Sequence, residues 1–227
     1  MLVRSRITAV GALLAVLSGC GGGGGGGGPV ASTLAFNVAT AYRNHVINGE
    51  PLATWQVTGT CQGVATTQTS PQVATVFEGV VGYYSTQTLT LNLANCTGSG
   101  PTSGQTYYDS NYRAIGEIVP NASYVVYQAP ENIPTTVKVG DSGPLHVSND
   151  YTDGGKQTLV SHTTSTYRVA ADTATTALIV VTESTVGVGG QPMGGGTTTY
   201  KIDQNNVITL AGLDVTTQNG THIVLSP

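Results

Sequence analysis

The stretch VGDSGPLHV, residues 139–147, sets a serine hydroxyl between an aspartate and a glycine. Serine becomes a nucleophile only when a base takes its proton and preorganised N–H groups steady the oxyanion that forms. Ser142 would be that nucleophile and the turn 140–142 the oxyanion site, with His45 and Asp109 lying upstream. A second stretch, NDYTDGG at 149–155, spaces Asn149, Asp153 and Gly154 as a calcium loop does. Tyr151 stands where such a loop needs an oxygen ligand, and no glutamate closes it, so a polar hairpin turn is expected instead. The four histidines, His45, His146, His162 and His222, show no paired ligand spacing, and neither a metal nor a cofactor is expected. Tyrosine is the remaining candidate, with eleven against two phenylalanines and one tryptophan. Tyr83, Tyr84, Tyr107, Tyr108 and Tyr112 form the densest group. Their flat apolar faces and hydroxyls suit a binding surface for sugars, peptides or lipid chains, and suit strand formation equally.

The 139–147 stretch resembles the nucleophile segment of chymotrypsin-like serine proteases, Gly-Asp-Ser-Gly-Gly-Pro, and His45, Asp109 and Ser142 follow that family's order. One glycine of the motif is missing, which displaces the turn that shapes the oxyanion hole. His45 lies in YRNHVI on a predicted helix, and Asp109 sits among tyrosines without a supporting motif. The same residues read as a turn at Asp141-Ser142-Gly143 between strands that carry Val137 and Val139 before it and Leu145 and Val147 after it. No catalytic activity is therefore expected, with a Ser142 hydrolase as an alternative.

At the start of the chain, Arg4 and Arg6 precede an apolar run over 7–17, the make-up of an export signal. A run of that length reaches about 16 Å as a helix, against about 30 Å of hydrocarbon core. It ends in Leu17-Ser18-Gly19-Cys20, which resembles the lipobox of bacterial lipoprotein precursors. The resemblance implies cleavage before Cys20 and lipidation of that residue. Two or more acyl chains anchor a protein stably, where one holds it marginally. Gly21 in place of aspartate implies sorting to the outer membrane in the Gram-negative family. Eight glycines, 21–28, then read as a flexible tether of roughly 16 Å. The expected organisation is a signal peptide over 1–19, lipidated Cys20 with its tether over 20–31, and one β-rich periplasmic domain over 32–227. In composition the whole chain resembles glycine-linker lipoproteins of Gram-negative bacteria.

Without its leader the chain keeps six cations against twelve carboxylates, which argues against nucleic acid as a partner. Cys61 and Cys96 remain as an even pair in an exported protein and read as a disulfide. Residues 32–48 carry Leu34, Val38, Tyr42 and Val46 on one helical stripe, with Ser32 or Thr33 as the cap and Gly49 as the stop. After Pro51 the pattern is of strands. Leu89, Leu91 and Leu93 alternate with Thr88, Thr90 and Asn92, and 157–171 with 174–188 read as a long hairpin around Asp172. Ala177 to Val181 is apolar on both parities and is expected to be covered on both faces.

These features predict an all-β fold, a β-sandwich or a curved, barrel-like antiparallel sheet with one N-terminal amphipathic helix. Two non-catalytic roles fit it. One is a binding or scaffolding module that meets envelope proteins or glycans through an exposed sheet face. The other is a carrier that encloses a lipid or other apolar ligand. Either would be attached to the outer membrane, on its periplasmic face, through the lipid anchor.

Overall fold

The computed structural model describes residues 29–227. The expected signal peptide, Cys20 and the glycines 21–28 lie outside the described residues. One helix, α1 (Val38–Asn48), precedes thirteen strands: β1 (Glu50–Gly59), β2 (Gly63–Thr69), β3 (Val73–Phe77), β4 (Val80–Leu93), β5 (Gly100–Asp109), β6 (Ala114–Val119) and β7 (Ser123–Tyr127), then β8 (Ser142–Tyr151), β9 (Leu159–Ala171), β10 (Thr176–Gly187), β11 (Pro192–Asp203), β12 (Ile208–Thr217) and β13 (His222–Ser226). From β4 onward each strand pairs antiparallel with the next, and β13 returns to β1. The sheet closes where β2 pairs with β4, from Gly63 opposite Leu93 to Thr69 opposite Gln87. The result is a barrel of twelve strands with β3 outside the ring. Of the two expected architectures, the barrel is the one formed.

Inward and outward residues alternate. On β9, Ser161, Thr163, Ser165 and Val169 are buried inside, while His162, Thr164, Thr166 and Arg168 are exposed outside. The outer positions of β9 are thus polar, whereas those of a lipid-facing barrel are apolar. Among the described residues no helix is long and apolar enough to cross a membrane. The apolar run 177–181 forms part of β10 as a wall of the barrel. Ile179 points inward, whereas Val180 is buried on the outer side with Arg168 and Thr199 opposite it on the flanking strands.

The helix begins six residues later than its apolar stripe predicts. Phe36 is withdrawn from it by a two-way backbone bridge to Val137 (both 2.9 Å), and its side chain is fully buried. Asn37 then caps α1 by accepting a hydrogen bond from Thr40 N at 2.9 Å. The segment before the helix crosses the β9–β10 and β11–β12 turns through Val30 N to Asp172 O (3.2 Å) and Asn37 N to Asn206 Oδ1 (2.9 Å). These contacts lay α1 over one mouth of the barrel. The opposite mouth is ringed by turns, and there Cys61 and Cys96 form a disulfide between the β1–β2 turn and the β4–β5 loop.

The β3–β4 hairpin folds onto the outside of β5, β6 and β7. Phe77 is buried between Tyr107 (centroids 4.3 Å apart) and Tyr124 (5.5 Å). It fits because β6 offers Gly116 beneath it, where a Cβ would stand 2.4 Å from the Phe77 ring. Glu78 at the tip binds Tyr124 Oη at 2.6 Å and pairs with Lys156. Removing the disulfide tests how far the turn-ringed mouth depends on it. On the chain-entropy relation the double variant Cys61→Ala/Cys96→Ala should lose about 4 kcal/mol in a denaturant titration. A loss below about 1 kcal/mol would show that the barrel alone holds these loops.

Candidate functional site

The inward side chains leave a cavity of about 340 Å³ within the barrel, roofed by Val38, Tyr42 and His45 of α1. Its two sides differ. Strands β1, β2, β4, β12 and β13 present an apolar wall built on Trp55, Val57, Leu91 and Leu225, with Leu89, Leu210 and Leu213 packed against them. Trp55 keeps its one polar atom satisfied by donating from Nε1 to Thr67 Oγ1 at 2.8 Å. Facing it, β6, β8, β10 and the β7–β8 loop carry Glu117, His146, Asp150, Glu183 and Glu131. Among the described residues, neither lysine nor arginine lines the cavity.

Tyrosines hold the acidic wall in place. Tyr127 Oη donates to Glu117 Oε1 and Tyr42 Oη to Glu131 Oε2, both at 2.9 Å. Burial holds both phenols well above the usual tyrosine range, so they remain donors. The Tyr127 ring stacks on His146 at 4.0 Å, and His146 Nδ1 stands 3.8 Å from Glu131 Oε1, beyond hydrogen-bond reach. Ser161 Oγ donates to Asp150 Oδ2 at 3.3 Å. Glu183 accepts no hydrogen bond from any described residue. Burial raises its carboxyl well above the usual range, and the charges of Glu117 and Glu131 raise it further. Burial also raises Glu117, against the Tyr127 hydrogen bond that lowers it. In the roof, burial lowers His45, whose Nδ1 lies 3.5 Å from Glu50 Oε1.

The residues singled out from sequence fall elsewhere. Ser142 is exposed at the start of β8, opposite Arg168. His45 is in the cavity roof, and Asp109 is bound to Arg113 at 2.7 Å, so the serine, histidine and aspartate do not come together. In the 149–155 segment, Asp153 Oδ1 accepts from Gly155 N at 2.8 Å within the hairpin turn. Among the described residues no group of three or more His, Cys, Asp or Glu is arranged to hold a metal. The five tyrosines occupy three places. Tyr83 stacks on Tyr112 (5.1 Å) with Arg43 over the Tyr112 ring at 5.0 Å. Tyr84 lies beside Tyr107 (5.9 Å), which is buried under Phe77. Tyr108 points into the barrel, with its Oη 3.2 Å from Ser85 Oγ. They do not make one exposed face.

Glu117, Glu131 and Glu183 carry no motif in the sequence. The signal that marks two of them is parity: Glu183 follows Ala177, Ile179 and Val181 on the inward face of β10, and Glu117 is the lone acid of AIGEIV. Comparison with protein-family models, curated proteins and solved structures finds no match.

The buried carboxyls set a pH dependence. Because Glu117 and Glu183 titrate above the ordinary value of 4.5, the folded chain holds protons that the unfolded chain releases. Their contribution is complete below that value and is lost as pH rises through the raised ones. Replacing Glu183 by glutamine should therefore raise Tm over the parent by a margin that widens between about pH 5 and pH 8. A margin that stays constant in scanning calorimetry, or narrows, would contradict the burial of this carboxyl.

Proposed function

We propose that this protein is a non-catalytic, membrane-tethered carrier or binding protein that holds a small, largely apolar molecule inside its barrel. The observation that carries the reading is the roofed cavity. Its volume of about 340 Å³ falls within the range of about 300–1,000 Å³ typical of small-molecule sites. Its leucine-rich wall supplies apolar contact, and the buried carboxyls Glu117, Glu131 and Glu183 gather on the other side, where they can fix orientation. The reading through the barrel interior is preferred to docking through an exposed aromatic face, because Tyr107 and Tyr108 are buried on opposite sides of β5.

The leader supports the location. Lipidated Cys20 and the glycines would hold the barrel near the outer membrane, on the periplasmic side, where envelope lipids, glycans and proteins are the available partners. The acidic balance of the chain supports none of nucleic acid.

Native mass spectrometry of the purified chain is the direct test. A retained mass that leaves on denaturation is expected, and Leu213→Trp, which fills the cavity from β12, should abolish it. Bare polypeptide before and after incubation with an envelope lipid extract would count against the carrier. For the anchor, Cys20→Ala should leave the precursor unprocessed and move the protein out of the membrane fraction. Unchanged fractionation would remove the lipoprotein reading.

A further inference from the structure

We propose that the cavity takes an amphipathic organic cation, an ammonium group on an apolar body, with the ammonium among Glu117, Glu131 and Glu183 and the body against the leucine wall. The inference rests on the binding reading above and adds the chemical class of the ligand.

Charge is the first reason. A cavity lined by these carboxyls and, among the described residues, by no lysine or arginine offers an anion no counter-ion, whereas a bound ammonium would stabilise Glu117, Glu131 and Glu183 as carboxylates. The second reason is unfilled hydrogen-bonding capacity on the same wall. Glu183 has no donor among the described residues, and His146 Nδ1 has no hydrogen-bond partner although only 5 % of that side chain is exposed. The tyrosine hydroxyls do not meet this need, because Tyr127 and Tyr42 are already committed to Glu117 and Glu131. An ammonium brings donors and positive charge together, and charge-assisted bonds of that kind are about twice as strong as neutral ones. The third reason is the opposite wall. A small hydrated cation would leave Leu91, Leu210 and Leu213 facing water, whereas an alkyl or aryl body covers them. About 340 Å³ is roughly twice the cavity that takes up benzene, so head and body fit together.

Decylamine, decanol and decanoate share one apolar body and differ only in the head group. Titration calorimetry of the purified full chain, below micellar concentrations, should find decylamine at least about tenfold tighter than decanol, with decanoate weakest. Glu183→Gln should weaken decylamine about tenfold and leave decanol within about twofold. Because that variant removes a carboxyl with no donor, it is expected to fold. Glu117→Gln, which keeps an acceptor for Tyr127, gives a second reading of the same loss. Decanol or decanoate binding as tightly as decylamine would overturn the cation and leave the carrier standing. So would a decylamine affinity unmoved by both variants. If none of the three binds, both readings fall.

Discussion

Seven register pairs between β2 and β4 turn a sheet with two free edges into a barrel. They can form because the chain breaks step at Ser70-Pro71. Pro71 has no N–H to offer, and Ser70 Oγ takes the hydrogen bond from Thr86 N at 2.9 Å. Beyond that break β3 continues along the same neighbour, so the fourteen residues of β4 serve β2 and β3 in line on one side and β5 on the other. At the far end of the seam the strands approach so closely that a Cβ on Gly63 would stand 2.0 Å from Asn92 O. Closure pairs the edges of the ring and leaves only the short outer edge of β3 open, and exposed backbone edges invite aggregation. It also decides which parity of every strand faces inward, and so creates both walls of the cavity.

The walls are electrostatically unequal because Glu117, Glu131, Asp150 and Glu183 gather on one side, whereas the leucine side contributes only Glu50, at the rim beside His45. In low dielectric an unpaired carboxylate is expensive, and this protein answers in two ways. Glu117 and Glu131 receive phenol donors from Tyr127 and Tyr42, which burial keeps protonated. Glu183 receives none and instead holds its proton to higher pH, driven by burial and then by its two acidic neighbours. A fold selected for stability alone would place leucine there, as it does across the cavity. Retaining a carboxyl at a position that favours the apolar alternative marks that wall for a role other than packing.

Local pattern made the strands legible and left long-range register hidden. The β9–β10 hairpin followed from alternation on either side of Asp172, and the end of α1 from Gly49. The sequence places the start of α1 too early because Leu34 extends the apolar stripe of Val38, Tyr42 and Val46. What ended that stripe was the bridge from Phe36 to Val137, about a hundred residues away, which no periodicity records. The tyrosine group shows the same limit. Tyr107 and Tyr108 are adjacent in sequence and therefore on opposite faces of β5, one under the hairpin and one in the barrel. The acidic wall joins residues from β6, β8, β10 and a loop, and it exists only once the barrel is closed.

Strand number explains why there is a cavity at all. A barrel of about eight strands is just wide enough for its own side chains to fill. Twelve strands enclose more volume than inward leucines and valines can occupy, and β9 contributes only Ser161, Thr163 and Ser165 over much of its inner face. Small residues at inward positions keep space open where larger ones would reduce it. A packed core at this width would need the roof helix to descend into the barrel. Instead α1 lies across the mouth, held there by Phe36 on Val137 and by Asn37 on Asn206, and contributes Tyr42 and His45 as lining. The wide ring, the small residues of β9 and the shallow helix each oppose filling of the interior. Together they make the open volume a consequence of the architecture and not a local packing fault.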